Sequence, residues 1–225
     1  MAHGFDAVSL DVGGVLVVPD HGVLASALDG MGIRYQRDRF GVGHYEAMAA
    51  VDRAASHPED FTDYLAGFLA AVGVADVERA RAHDALVEVL RTPVWCQPVP
   101  GSRDAVRAIA AAGVRLAVTS NSDGTVEDHL ARHEWVQVGP GPGVPVEVVT
   151  DSGLVGVGKP DARVFHATIA VLGLPADRIL HIGDSVVYDV DGATAVGMQA
   201  VHMDPYRLCD GDHPHVSALA DILSR

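Results

Sequence analysis

The sequence predicts an α/β protein: a parallel sheet with helices on both faces, carrying a small all-helical insert. Three observations predict it. Strand-like and helix-like stretches alternate from Ser102 to the carboxyl end, a short apolar β-prone run opens the chain, and the segment between them shows only the helical period.

Phe5 to Leu10 is apolar and β-prone and runs into Asp11 and the pair Gly13-Gly14, which reads as a buried strand ending in a loop. From about Pro19 to Arg91 the pattern turns helical. Val23, Leu24, Ala27, Leu28 and Met31 share one face, as do Phe61, Leu65, Phe68, Leu69 and Val72, and further helices are expected over about Arg37 to Ala55 and Val77 to Leu90. The proline-bearing stretch Thr92 to Gly101 reads as a connector. Ser102 reads as the cap of a helix with Val106, Ile109 and Ala110 inward and Gly113 as its stop. Strands are then expected at Val114 to Thr119, Val146 to Thr150, Ile179 to Ile182 and Gln199 to Met203. Helices are expected at about Thr125 to Arg132, Ala162 to Leu172 before Gly173, Val187 to Val196 before Gly197, and Val216 to Leu223. Residues 1–18 and 98–225 thus form an α/β core around an insert of residues 19–97. The stretch Gly139 to Gly143 reads as a loop, since no lysine or Ser/Thr follows it in phosphate-loop spacing.

Right-handed crossovers place every strand's carboxyl end on one edge of such a sheet, where ligands bind. The first strand delivers Asp11 to that edge and the second delivers Ser120 and Asn121. The loop after the third delivers Lys159, and the fourth delivers Asp184, with Asp189 five residues on. Phosphoryl transfer asks for this set. A carboxylate can attack phosphorus, oxygen ligands can hold a divalent cation that offsets anion repulsion, and Lys and Ser stabilise charge on the transferred group. Of 16 basic residues 15 are arginine, so Lys159 is the only lysine, and Asn121 is the only asparagine. A codon bias that replaces Lys and Asn wherever a site tolerates it leaves them where their chemistry is needed.

Composition bounds the partners. With 48% hydrophobic and 20% charged residues the chain is that of a globular protein, and 30 acidic against 16 basic residues give a net charge of -14. That charge repels nucleic acid and anionic membrane surfaces, leaving a small molecule as the expected partner of a monomer or homodimer. Cys96 and Cys209 stand in no metal or redox spacing, and no run approaches ~18 apolar residues, so a cytoplasmic location is expected.

At these residues the chain resembles the haloacid dehalogenase superfamily, over nearly its whole length. The carrying motifs are VSLDVGGVL with Asp11, RLAVTSN with Ser120, VGVGKPDARVF with Lys159, and HIGDSVVYDVDGATAVGM with Asp184 and Asp189. The resemblance implies a Rossmann-like core with a helical-bundle cap that closes over the site and carries specificity. It implies Mg2+ as cofactor, Asp11 as nucleophile and metal ligand, Asp184 as metal ligand, and a metal contact from the Gly13 carbonyl. It also implies that Ser120 and Lys159 hold the phosphoryl oxygens. Asn121, the only asparagine and next to Ser120 at the strand end, is expected beside them on the phosphate. Asp189 reads as a partner that orients Lys159 or a metal-bound water.

One position departs from the pattern. Most phosphatases of the superfamily have aspartate two residues after the nucleophile as general acid and base, where this chain has Gly13. Such help is worth roughly a hundred- to ten-thousand-fold in rate, so the proton must come from elsewhere, with His21 as candidate, or the leaving group must need none. Two other readings stay open: a carbon-centre hydrolase of the dehalogenase type, and a catalytically degenerate binding protein. The intact Gly183-Asp184 favours the phosphatase. Among the 12 histidines, His129 and His133 read as a solvated helix face, and the cluster Cys209, Asp212, His213 and His215 reads as a polar loop rather than a soft-metal site.

Overall fold

The structure is a computed structural model that describes residues 4–55 and 61–224. The expected insert spans residues 56–60, which lie outside the described residues. In chain order the elements are β1 (Ala7–Leu10), β2 (Val17–Pro19), α1 (His21–Gly30), α2 (Phe40–Ala54), α3 (Thr62–Ala71), α4 (Asp76–Leu90), β3 (Trp95–Pro98), α5 (Ser102–Ala111), β4 (Arg115–Ser120), α6 (Val126–Arg132), β5 (Val136–Val138), β6 (Val144–Val146), β7 (Val149–Asp151), α7 (Ser152–Val155), α8 (Ala162–Leu172), β8 (Ile179–Gly183), α9 (Gly192–Ala195), β9 (Gln199–Met203) and β10 (His215–Val216). They divide into two compact units. One is Met1–Leu16 with Val99–Pro205 and Asp212–Arg225; the other is Val17–Pro98 with Tyr206–Gly211.

The first unit is built on a six-stranded sheet in the order β10-β9-β8-β1-β4-β7, parallel throughout. All four residues of β1 are buried, as a central parallel strand covered on both faces requires. Strand order reverses at β1, because the chain moves to β4 on one side and later returns to β8 on the other. On one face Ala7, Ala117 and Ile179 pack against Phe165 and Leu172 of α8 and Ala193 of α9. Gly173 ends α8 in the left-handed conformation at φ +61°.

The second unit is a helical bundle. Helices α2 and α3 pack closely because Gly67 lies so near α2 that a Cβ there would stand 2.9 Å from the Ala47 Cα. Phe40 and Phe68 are buried together with ring centroids 5.4 Å apart, and buried His44 shares a 2.9 Å hydrogen bond with the Tyr64 hydroxyl. The inward face of α1 is Leu24, Ala25 and Leu28, whereas Val23, expected on that face, is 45% exposed.

Several expected elements differ. The connector before Gly101 contains β3, which pairs antiparallel with β2 through Val17 and Pro98. The expected strand at Val146 to Thr150 is two strands: β6 pairs with β5 across the glycine-rich loop, and β7 pairs with β4. Ser102 does not cap α5. Its hydroxyl instead donates to the Leu16 and Val99 carbonyls, and Gly101 holds the cap position at φ +77°. The helix expected from Val187 opens as a wide π-type turn, Val186–Asp191, before α9. The expected last helix is β10 followed by a 3-10 turn, Leu219–Ser224. The edge of β9 decides this, since it accepts a parallel partner through His202 and Met203.

Candidate active site

The strand ends of the first unit converge as the sequence requires. Asp11 leaves β1 with its backbone N–H donating to the Ile182 carbonyl of β8, which holds it beside Asp184 at that strand's exit. Asp11, Asp184 and Asp189 each place a carboxylate oxygen within 4.8 Å of the others, and all three residues are buried. Gly14 makes room for this crowding. At φ +63° it presses its backbone against Asp184, and a Cβ there would stand 2.0 Å from Oδ2. Gly183 does the same for Asp189, whose Cγ would lie 2.0 Å from an added Cβ. The glycine of the Gly-Asp pair is thus a steric requirement.

Lys159, only 3% exposed, brings its Nζ to 2.9 Å from Asp11 Oδ1 and 2.6 Å from Asp189 Oδ1. Asp189 is fully engaged. Its Oδ1 also lies 2.9 Å from His181 Nε2, and its Oδ2 accepts from the Ser185 backbone N–H. The π-type turn folds this side chain back under its own strand, its wide bond running from the Val190 N–H to the Ser185 carbonyl. Because an ionised carboxylate only accepts, the hydrogen on His181 is assigned to Nε2, and Nδ1 then accepts from the Ser9 hydroxyl at 3.1 Å. Ser9 in turn lies 2.8 Å from the Thr119 hydroxyl.

Burial and like charge set the electrostatics. Burial pushes the Asp11 carboxyl up to about 7; the Asp189 and Asp184 charges add to this, and the Lys159 ammonium opposes it. Burial works against the Lys159 ammonium, but the two carboxylates outweigh it and hold the group above the ordinary lysine range. For Asp189 burial is outweighed by the Lys159 charge and the His181 hydrogen bond, so its carboxyl sits well below the usual carboxylate range. Burial lowers the His181 pKa, against the pull of the Asp189 hydrogen bond. Three acidic side chains meet and one ammonium pairs with two of them, a pocket of hard oxygen donors that suits a small divalent cation.

Ser120 is buried at the end of β4, with its hydroxyl beside the Asn121 carbonyl. The Asn121 side chain is committed elsewhere than expected: Oδ1 accepts from the Lys159 N–H at 2.6 Å, and Nδ2 donates to the Lys159 carbonyl at 3.2 Å. It clamps the lysine's backbone. Gly13 is half-buried between Asp11 and Gly14. His21 belongs to the helical unit, where Asp20 caps α1 and the Gln97 amide holds His21 Nδ1 at 3.0 Å. Burial and the neighbouring His44 charge lower the His21 pKa. Sequence reasoning missed Ser9, Thr119 and His181, polar residues inside otherwise apolar strands. That interruption was the available signal.

Fold and site together define a parallel α/β protein with an acidic centre at the point where strand order reverses. The chain belongs to the haloacid dehalogenase-like hydrolases, whose family model matches residues 5–197. It is 31% identical over 142 residues to haloacid dehalogenase-like hydrolase domain-containing protein 3 of Mus musculus, covering 63% of this chain and 51% of the relative. It is 37% identical over 92 residues to a phosphoserine phosphatase of Thermus thermophilus, covering 41% of this chain and 34% of the relative. The chain therefore spans about half or less of the curated relatives it matches. Among solved structures, a phosphatase from Thermococcus onnurineus superposes with TM-score 0.59 at 17% identity over 98% of this chain and 97% of that one. A 2-haloacid dehalogenase from Pseudomonas syringae superposes with TM-score 0.55 at 20% identity, covering 98% and 99%. These two share the fold and differ in reaction, so the likeness speaks for the fold alone. Among the described residues no helix is long and apolar enough to cross a membrane.

Proposed function

We propose that the protein is a magnesium-dependent phosphatase that hydrolyses a small phosphorylated metabolite through a phosphorylated Asp11. The observation that carries this reading is the meeting of the Asp11, Asp184 and Asp189 carboxylates, with the Lys159 ammonium set between Asp11 and Asp189. Asp189 is fully engaged by Lys159, His181 and Ser185, so Asp11 and Asp184 are the carboxylates that would hold the cation, with the Gly13 carbonyl beside them. Bound magnesium would supply positive charge against the phosphoryl oxygens and keep Asp11 ionised.

An Asp11 oxygen attacks phosphorus, the bond from phosphorus to the ester oxygen breaks, and the aspartyl phosphate is then hydrolysed by water. Lys159 and Ser120 hold the phosphoryl oxygens as charge grows on them. Asp189 orients Lys159, and Asn121 fixes its backbone. The ester oxygen must leave with a proton or as a stable anion, because Gly13 offers no acid. The helical unit, in this reading, is the cap that excludes water and selects the metabolite.

The test is release of inorganic phosphate from a panel of phosphorylated metabolites by the full chain, with magnesium and with chelator. Expected is magnesium-dependent release that Asp11→Asn lowers at least about a hundredfold with the circular dichroism spectrum kept. Release that survives chelation or Asp11→Asn, or no release from any ester, overturns the reading. Metal-independent halide release from 2-haloacids would install the carbon-centre reaction instead.

A further inference from the structure

Away from the acidic centre, three imidazoles gather on one face of the sheet edge. His202 lies on β9 and His215 on β10, and the two are register partners in adjacent parallel strands, so their side chains leave the sheet on the same side. His213 precedes His215 by two residues. The ring centroids lie 5.3 Å (His202–His213), 5.2 Å (His202–His215) and 4.3 Å (His213–His215) apart. One ring nitrogen of each stands within 4.8 Å of the other two.

We propose that His202, His213 and His215 form a site for a borderline transition-metal ion, zinc by default, separate from the carboxylate centre. The spacing fits. Two nitrogens bound at about 2.0–2.1 Å to one tetrahedral ion are about 3.4 Å apart, and His202 Nδ1 and His213 Nε2 stand 3.2 Å apart, joined by a hydrogen bond whose proton the ion would replace. The outer contact fits as well. His202 Nε2 donates to the Asp184 backbone carbonyl at 3.2 Å, which fixes the ring and leaves Nδ1 as its lone-pair nitrogen. Metal-binding histidines are held in this way, by a carbonyl on the far nitrogen.

Ligand type separates the two centres. Three neutral nitrogens with no carboxylate among them favour zinc, copper or nickel over magnesium, whereas the oxygen donors of Asp11 and Asp184 favour magnesium. The ion would pin the β10 segment to β9, and through the His202 ring its loading would reach the backbone of Asp184. Cys209, which the sequence groups with these residues, belongs to the helical unit and is not needed for the three-nitrogen set. The inference stands whether or not the protein is a phosphatase.

The test titrates the chelator-treated full chain with Zn2+ by calorimetry and with Co2+ by visible absorption, in excess Mg2+. Expected is one equivalent of tight binding that Mg2+ does not displace, that Asp184→Asn retains, and that His213→Gln and His215→Gln each weaken at least about tenfold. Both histidines are partly exposed, so the variants are expected to fold, and a circular dichroism spectrum checks this. Failure of the native chain to bind, binding unchanged in both histidine variants, or binding lost in Asp184→Asn overturns the proposal.

Discussion

The Lys159 ammonium stands closer to Asp189, at 2.6 Å, than to Asp11, at 2.9 Å. Asp189 also binds His181 and the Ser185 N–H, so it is fixed on three sides and acts as the anchor of the lysine. In the proposed reaction Asp11 is the member of the trio left to change partners.

Asp189→Asn is expected to cost stability and rate together. The substitution leaves Lys159 short of one charge and turns an amide NH2 toward the Ser185 N–H or toward His181. Breaking a buried ion pair costs roughly 3–5 kcal/mol. The urea midpoint and the specific activity measure both effects. A midpoint unchanged from the native protein would mean the pair carries no anchoring role.

In the metal-free protein, stability is expected to fall as pH rises from about 4 to about 7 on account of Asp11. Its folded pKa is raised to about 7 by burial first and then by like charge. The unfolded chain releases this proton near 3.9 while the folded chain keeps it, so folding is opposed increasingly across that window and by a constant amount above it. Asp11→Asn removes the penalty and should leave the chelated variant a few kcal/mol more stable than native above pH 7, with the difference shrinking towards pH 4. Denaturant melts at pH 5 and pH 8 measure it. A difference independent of pH would show that burial does not act on this carboxyl.

Gly14→Ala is expected to weaken magnesium binding at least about tenfold, because the new Cβ would overlap Asp184 Oδ2 at a φ of +63° that alanine resists. Gly30→Ala, where nothing lies within 4 Å, serves as the control and should leave affinity unchanged. Equal affinity in all three proteins by calorimetry would remove Asp184 from the metal site.

The Gly13 substitution predicts a preference for good leaving groups such as acyl, aryl or anomeric phosphates. The measurement is kcat/KM against leaving-group pKa in the native protein and in Gly13→Asp. The native slope should be steep, and the variant should gain most on poor substrates by supplying the missing acid. A shallow native slope would mean another group supplies the proton, and His21 would then be the first to replace.

The strand-end chemistry was legible because the sheet's rule of assembly puts carboxyl ends on one edge, so Asp11, Ser120, Lys159 and Asp184 could be gathered without coordinates. What lay beneath them was not. Ser9 faces His181 only through the register of β1 against β8, a pairing across 172 residues that no local period encodes. The same holds for β3, whose partner β2 lies nearly eighty residues earlier, and for His202, which joins His213 and His215 only when β10 docks on β9. The π-type turn escaped notice because its cause is the inward demand of Asp189 on Lys159, not the helical preference of its own residues.

The only asparagine of the chain holds the only lysine by its main chain, Asn121 gripping the Lys159 N–H and carbonyl from the neighbouring crossover. The grip runs one way. Any residue but proline at position 159 would offer Asn121 the same N–H and carbonyl, whereas loss of Asn121 frees the backbone from which the ammonium is aimed at Asp189 and Asp11. A change at Asn121 is therefore expected to act through Lys159, although 38 residues of sequence separate the two.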